Sequence, residues 1–180
     1  PVCKGARPCA LLWIGSKESM QPYSDLSRTA KLRLLHSLAV TALARYDLKH
    51  PEIAFFGYQT NLLYRVTAAS GERFMLRLAS PGWRSFEDLR SEALWLNALT
   101  RDTHLCVPRI LPARSGETVL PLSSPLVPGV WNASLMSWVP GRLLGHYLTG
   151  PNLEKMGALF AALHHHGASW VPPAGFTTRR

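Results

Sequence analysis

Residues 53–78 hold three short β-prone runs in quick succession: Ile53-Ala54-Phe55-Phe56, Asn61-Leu62-Leu63-Tyr64-Arg65-Val66 and Arg73-Phe74-Met75-Leu76-Arg77-Leu78. Between them stand Gly57-Tyr58-Gln59-Thr60 and Ala69-Ser70-Gly71-Glu72, turn-prone links far too short for a parallel crossover. The runs therefore predict antiparallel hairpins. Side chains alternate across a strand, so Phe74, Leu76 and Leu78 share one face of the third run while Met75 and Arg77 share the other.

Amphipathic helices flank the hairpins. Leu32, Leu35, Leu38, Ala39, Ala42, Leu43 and Tyr46 recur at helical spacing after the plausible caps Ser24 and Asp25, and His50-Pro51 ends the pattern. A second helix is predicted from about Arg84 to Thr100, with Phe86, Leu89, Ala93 and Leu96 on one face. Further strands are predicted at Glu117–Leu122 and Trp131–Val139, closed by Pro140-Gly141. A third helix starts at Pro151, carries Leu153, Met156, Leu159, Phe160 and Leu163, and ends at Gly167. About five strands result.

Composition narrows the function classes. At 47% apolar and 17% charged residues, 180 residues suffice for a buried core. The longest apolar stretch near the start, Cys9 to Ile14, is six residues, where a membrane helix needs roughly 20. No secretory leader is legible, so the cytoplasm is the expected location. Cys3, Cys9 and Cys106 cannot all pair and read as free thiols. Twenty Lys and Arg against 11 Asp and Glu give a net charge of +9. The cations are scattered, without runs or interleaved aromatics, which argues against nucleic acid and is equally compatible with a phosphate-handling pocket. Residues 1–24 lack periodicity and are expected to be an unstructured or upstream extension, with Met20 as the suspected start.

Sequence signatures of several chemistries are missing. There is no Gly-Lys-Ser/Thr, no Gly-x-Ser-x-Gly, no Gly-x-Gly-x-x-Gly and no His-Glu-x-x-His. His164, His165 and His166 point about 100° apart on a helix and cannot share one ion; cations at a helix C-terminus is the expected role. Glu92, three residues after Leu89 and four before Leu96, falls on or beside an apolar face. A carboxylate there needs a cation, and Arg77 is the best candidate. On spacing alone, two solvated side chains explain the pattern as well.

The order of these pieces decides between the two. Asn61–Val66, Phe74–Leu78, Ser91-Glu92-Ala93-Leu94-Trp95-Leu96, Ser137-Trp138-Val139-Pro140-Gly141 and Ala158–His164 together resemble the N-terminal lobe of the aminoglycoside phosphotransferase family, relatives of choline kinases within the protein-kinase-like fold. The resemblance runs from about residue 25 to 176. It implies an α+β fold: a kinase-like N-lobe over residues 25–138, a hinge at 139–141, and the first helices of a truncated C-lobe over 142–180.

It also implies roles. Gly57 to Asn61 would cover nucleotide phosphates. Arg77 would stand where many relatives place a phosphate-binding Lys, oriented by Glu92. Ser137, Trp138 and Val139 would present backbone groups to adenine. ATP and Mg²⁺ would be the cofactors, and a small-molecule hydroxyl the acceptor, contacted mostly from the C-lobe. Relatives also carry His-x-Asp-x4-Asn and a later metal-binding Asp. The asparagines here are at 61, 97, 132 and 152, and the residues five positions earlier are Phe56, Glu92, Val127 and Tyr147. The catalytic Asp and the metal ligands are therefore absent. The expectation is a phosphotransferase fragment inactive alone; a non-catalytic nucleotide- or partner-binding module is the alternative, ahead of a basic nucleic-acid-binding protein.

Overall fold

The computed structural model describes residues 22–142 and 144–177. The expected upstream extension falls almost wholly outside these residues, as do Met20, Cys3 and Cys9; Cys106 is an exposed free thiol. In chain order the elements are a 3-10 turn at Tyr23–Asp25, α1 (Arg28–Leu43), β1 (Glu52–Tyr58), β2 (Asn61–Thr67), β3 (Arg73–Ala79), α2 (Phe86–Asp102), β4 (Ile110–Leu111), β5 (Leu120–Ser124), β6 (Val127–Ser137), a 3-10 turn at Leu144–His146 and α3 (Gly150–Ser169).

The strands form one antiparallel sheet in the order β1-β2-β3-β6-β4, with β5 also paired to β6. This is the expected α+β, kinase-like architecture with six strands in place of five. The added strand, β4, is two residues long and held between Pro108 and Pro112, so only its pairing with Met136 and Leu135 makes it a strand. Two boundaries also move. Gly57 and Tyr58 lie inside β1, where the register shifts between Phe55 and Gly57, and the turn shrinks to Gln59-Thr60. β6 begins at Val127 and stops at Ser137, leaving Trp138 and Val139 outside it.

Alternation along the central strands builds the core. Leu62, Tyr64 and Val66 of β2, Phe74, Leu76 and Leu78 of β3, and Trp131, Ala133 and Leu135 of β6 are buried on the face that α1 covers with Leu35, Leu38, Ala39, Ala42 and Leu43. Tyr64, Leu76 and Leu135 stand in one row across three strands. Each such leucine contributes about 1.5–3 kcal/mol by leaving water. The cap of α1 is Ser27, whose hydroxyl accepts from the Ala30 N–H at 3.2 Å; Ser24 and Asp25 belong to the preceding turn. Ser85 and Asp88 close a reciprocal capping box on α2, with Ser85 Oγ accepting from Asp88 N and Asp88 Oδ2 from Ser85 N.

Burial has a measurable consequence at high pH. It pushes the Tyr46 and Tyr64 hydroxyls up to about 12. Between pH 10 and 12 the unfolded chain then loses these protons first, so the folded state binds more protons and stability falls as pH rises. Each ring should remove about 1 kcal/mol at pH 11. Urea unfolding of the wild type and a Tyr46→Phe/Tyr64→Phe variant at pH 8 and pH 11 checks this: the loss should be smaller in the double variant, and an equal loss would contradict it.

Candidate functional site

The sheet's other face carries the polar chemistry. Strand register places Gly57 opposite Leu63, Leu63 opposite Arg77, and Arg77 opposite Ser134, a single row across β1, β2, β3 and β6. Residues directly opposite in antiparallel strands share a face. Strands lie about 4.8 Å apart, so Gly57 and Arg77 are separated by roughly 10 Å, the reach of a polyphosphate. A Cβ placed on Gly57 would meet no heavy atom within 4 Å, so the row is open above it. The hairpin residues Phe56 to Asn61, with Leu63, line a concavity of about 420 Å³.

Arg77 is fixed by two neighbours. Its Nη1 donates to Glu92 Oε1 at 2.8 Å and Oε2 at 3.1 Å, and its Nε donates to Ser134 Oγ at 3.2 Å. The side chains are 13% and 28% exposed for Arg77 and Glu92. The pair expected from spacing therefore forms, and the alternative of two solvated side chains is excluded. Nη2 makes no hydrogen bond to any described residue, which leaves its two guanidinium N–H donors without an acceptor among the described residues. Ser134 is a partner that sequence reasoning missed. Its signal was a lone hydroxyl inside the apolar run of β6, and it is almost fully buried.

Asn61 closes the hairpin. Its Nδ2 donates to Thr60 Oγ1, while its carboxamide oxygen is buried without a partner among the described residues. A hydrogen-bond donor arriving there would satisfy it.

The predicted hinge is more committed than expected. Ser137 N–H donates to the Arg109 carbonyl at 2.8 Å, and Trp138 N–H to the Arg73 carbonyl at 3.2 Å. Ser137 Oγ accepts from Arg109 N–H. Neither N–H is free for a base. Val139 N–H has no partner among the described residues. The Trp138 ring meets Phe56 edge-on at 5.7 Å and lies under the Arg73 guanidinium at 5.4 Å, tying β1 and β3 to the chain leaving β6.

At the far end of α2, His166 lies in the last turn of α3, the expected helix C-terminus, and is buried against α2. Trp95 Nε1 donates to its Nδ1 at 3.3 Å, and its Nε2 lies 3.2 Å from Asp102 Oδ2. The Arg101 guanidinium, followed by His166, holds the Asp102 carboxyl below the usual carboxylate range. An apolar groove of about 540 Å³ lies on the α1 side of the sheet, between Tyr23, Leu26, Leu34 and the Leu126 turn. Among the described residues Arg33 is its one charged side chain, so its chemistry does not suit a phosphate.

The sheet thus carries a cationic fork held by a helix carboxylate below the β1–β2 hairpin, and comparison with known proteins shows the family in which this fold occurs. The profile of the phosphotransferase enzyme family (APH) matches residues 53–180. The chain belongs to that family. Among solved structures, a microcompartment-associated aminopropanol kinase is 27% identical with a TM-score of 0.68, over 80% of this chain and 44% of that one. An amicoumacin kinase, solved in complex with AMP-PNP, Ca²⁺ and Ami, shares the fold at 17% identity and a TM-score of 0.68, over 86% of this chain and 47% of that one. The chain thus spans less than half the length of either. No curated protein matches.

Proposed function

We propose that this chain is the nucleotide-binding lobe of a small-molecule kinase that moves the γ-phosphoryl of ATP to a hydroxyl. The observation that carries this is the guanidinium of Arg77, held by Glu92 and Ser134 with Nη2 unengaged, in one row with the open position at Gly57. In this reading Arg77 donates to phosphate oxygens, Glu92 keeps its fork aimed, and the backbone from Gly57 to Asn61 covers the phosphates. Val139 N–H, with the Ser137 and Trp138 carbonyls, receives the base. Residues 139–141 act as the hinge between the lobe of residues 25–138 and the segment that follows. In this reading the reaction, with ATP as donor, runs in the cytoplasm.

Among the described residues no group of three His, Cys, Asp or Glu is placed to hold a metal ion by itself, so in this reading Mg²⁺ would arrive on the phosphates of the nucleotide. The sequence also lacks the His-x-Asp-x4-Asn loop that would deprotonate the acceptor. The residues of this chain therefore bind and orient nucleotide without completing the transfer. The 27% identical aminopropanol kinase makes a small amino alcohol the first acceptor class to test.

Thermal unfolding with and without Mg·ATP is the direct test. At tenfold excess over Kd the ligand adds about 1.4 kcal/mol, a rise of roughly 3 °C in Tm. Phosphoryl transfer to aminopropanol by the 180-residue chain should be undetectable. Turnover near the usual kinase range of about 1–100 per second would contradict this reading, as would an unchanged Tm at millimolar nucleotide.

A further inference from the structure

Glu92 rides on α2, so whatever fixes the rotation of α2 fixes the carboxylate that holds Arg77. Ser91, Trp95 and Asp102 recur at spacings of four and seven, which puts them on one stripe of the helix. The chain that follows the hinge grips this stripe at two heights. Thr177 N–H donates to Ser91 Oγ at 2.9 Å near the Glu92 level. His166, on the last turn of α3, takes the Trp95 indole N–H on Nδ1 and meets Asp102 Oδ2 with Nε2. An indole nitrogen only donates, so Nδ1 is the acceptor and the ring proton sits on Nε2, pointing at Asp102.

His166 is 7% exposed and is the one buried residue of α3. The Trp170 ring stacks on it with centroids 6.0 Å apart. The ring is therefore oriented by contacts on both nitrogens and on a face. Leu153, Leu159 and Phe160 of the same helix are exposed, and among the described residues the side-chain hydrogen bonds between α3 and α2 run through this ring.

We propose that His166 is a positioning residue, which sets the rotation of α2 through Trp95 and Asp102 and thereby holds Glu92 on Arg77. The lever is short. With side chains about 5–6 Å from the helix axis, a turn of roughly 20° carries the Glu92 carboxylate about 2 Å, enough to break a 2.8 Å bond. The functional consequence rests on the nucleotide reading above; the mechanical one does not. Hydrogen exchange at the Arg77 Nη1 protons, which donate to Glu92, reports the ion pair without any ligand.

The experiment measures that exchange by ¹⁵N NMR, and Mg·AMP-PNP affinity by calorimetry on the same samples. The wild type is compared with His166→Phe, which keeps a ring but neither hydrogen bond, and His166→Gln, which keeps a donor and an acceptor. In His166→Phe, exchange of the Arg77 Nη1 protons should accelerate and nucleotide affinity fall, each by about fivefold; His166→Gln should recover most of both. If His166→Phe does not fold, Trp95→Phe removes the indole donor alone and must show the same acceleration. A lowered Tm with exchange at Arg77 unchanged overturns the proposal, because His166 then only glues helices together. Accelerated exchange with no nucleotide binding by any variant, wild type included, upholds the positioning role and overturns the nucleotide reading.

Discussion

Replacing Arg77 with alanine should abolish the nucleotide-induced rise in Tm and weaken Mg·ATP affinity by about 10- to 100-fold, the worth of one or two hydrogen bonds to a charged group. The same change leaves Glu92 partly buried without its cation and Ser134 Oγ without its donor. A stability loss of about 1–3 kcal/mol should accompany it. Arg77→Lys keeps the charge but has one nitrogen for the tasks that Nε, Nη1 and Nη2 divide, so it should fall between. Glu92→Gln still accepts from Nη1 and should cost less affinity than Arg77→Ala. Calorimetric titration of the four proteins, normalised by urea unfolding, separates binding from folding. Wild-type affinity in Arg77→Ala would remove Arg77 from the site.

The largest effect on folding is expected at the centre of the sheet. Leu76 is fully buried between Tyr64 and Leu135. Leu76→Ala removes its transfer energy and leaves a cavity, together about 2–5 kcal/mol. Domains of this size hold only about 5–15 kcal/mol in all, so the urea midpoint should drop steeply. Leu153→Ala, on the exposed part of α3, should stay within about 0.5 kcal/mol. Equal losses in the two variants would mean that the core does not sit between α1 and the sheet.

Local chemistry in the chain was enough to find the middle of the fold. β2 and β3 alternate, up to the buried Ala79 that ends β3, because one of their faces is core, and their turn needs Gly71 at φ +84, a backbone that glycine adopts freely. Arg77 and Glu92 were legible only in combination: a carboxylate beside an apolar stripe asks for a cation, spacing alone fits two solvated side chains, and the order of the elements favoured the pair. β4 was illegible because two residues between prolines have no pattern, and pairing with β6 alone defines them. Gly57 and Tyr58 read as turn because glycine marks turns and bulges alike. Ser134 and the Trp95–His166–Asp102 cluster join residues 57 to 71 positions apart, and no local period encodes such contacts. The burial of His166 was unread for that reason: its place at a helix end was legible, and nothing nearby announced a buried partner.

Amide and side-chain shift mapping with ¹⁵N-labelled protein and Mg·AMP-PNP locates the nucleotide directly. Saturable changes should concentrate at Gly57–Asn61, at the Arg77 Nε–H and at the Val139 amide. Changes confined to the Tyr23–Leu126 groove, with Arg77 unmoved at saturation, would contradict a phosphate site built on Arg77 and Glu92.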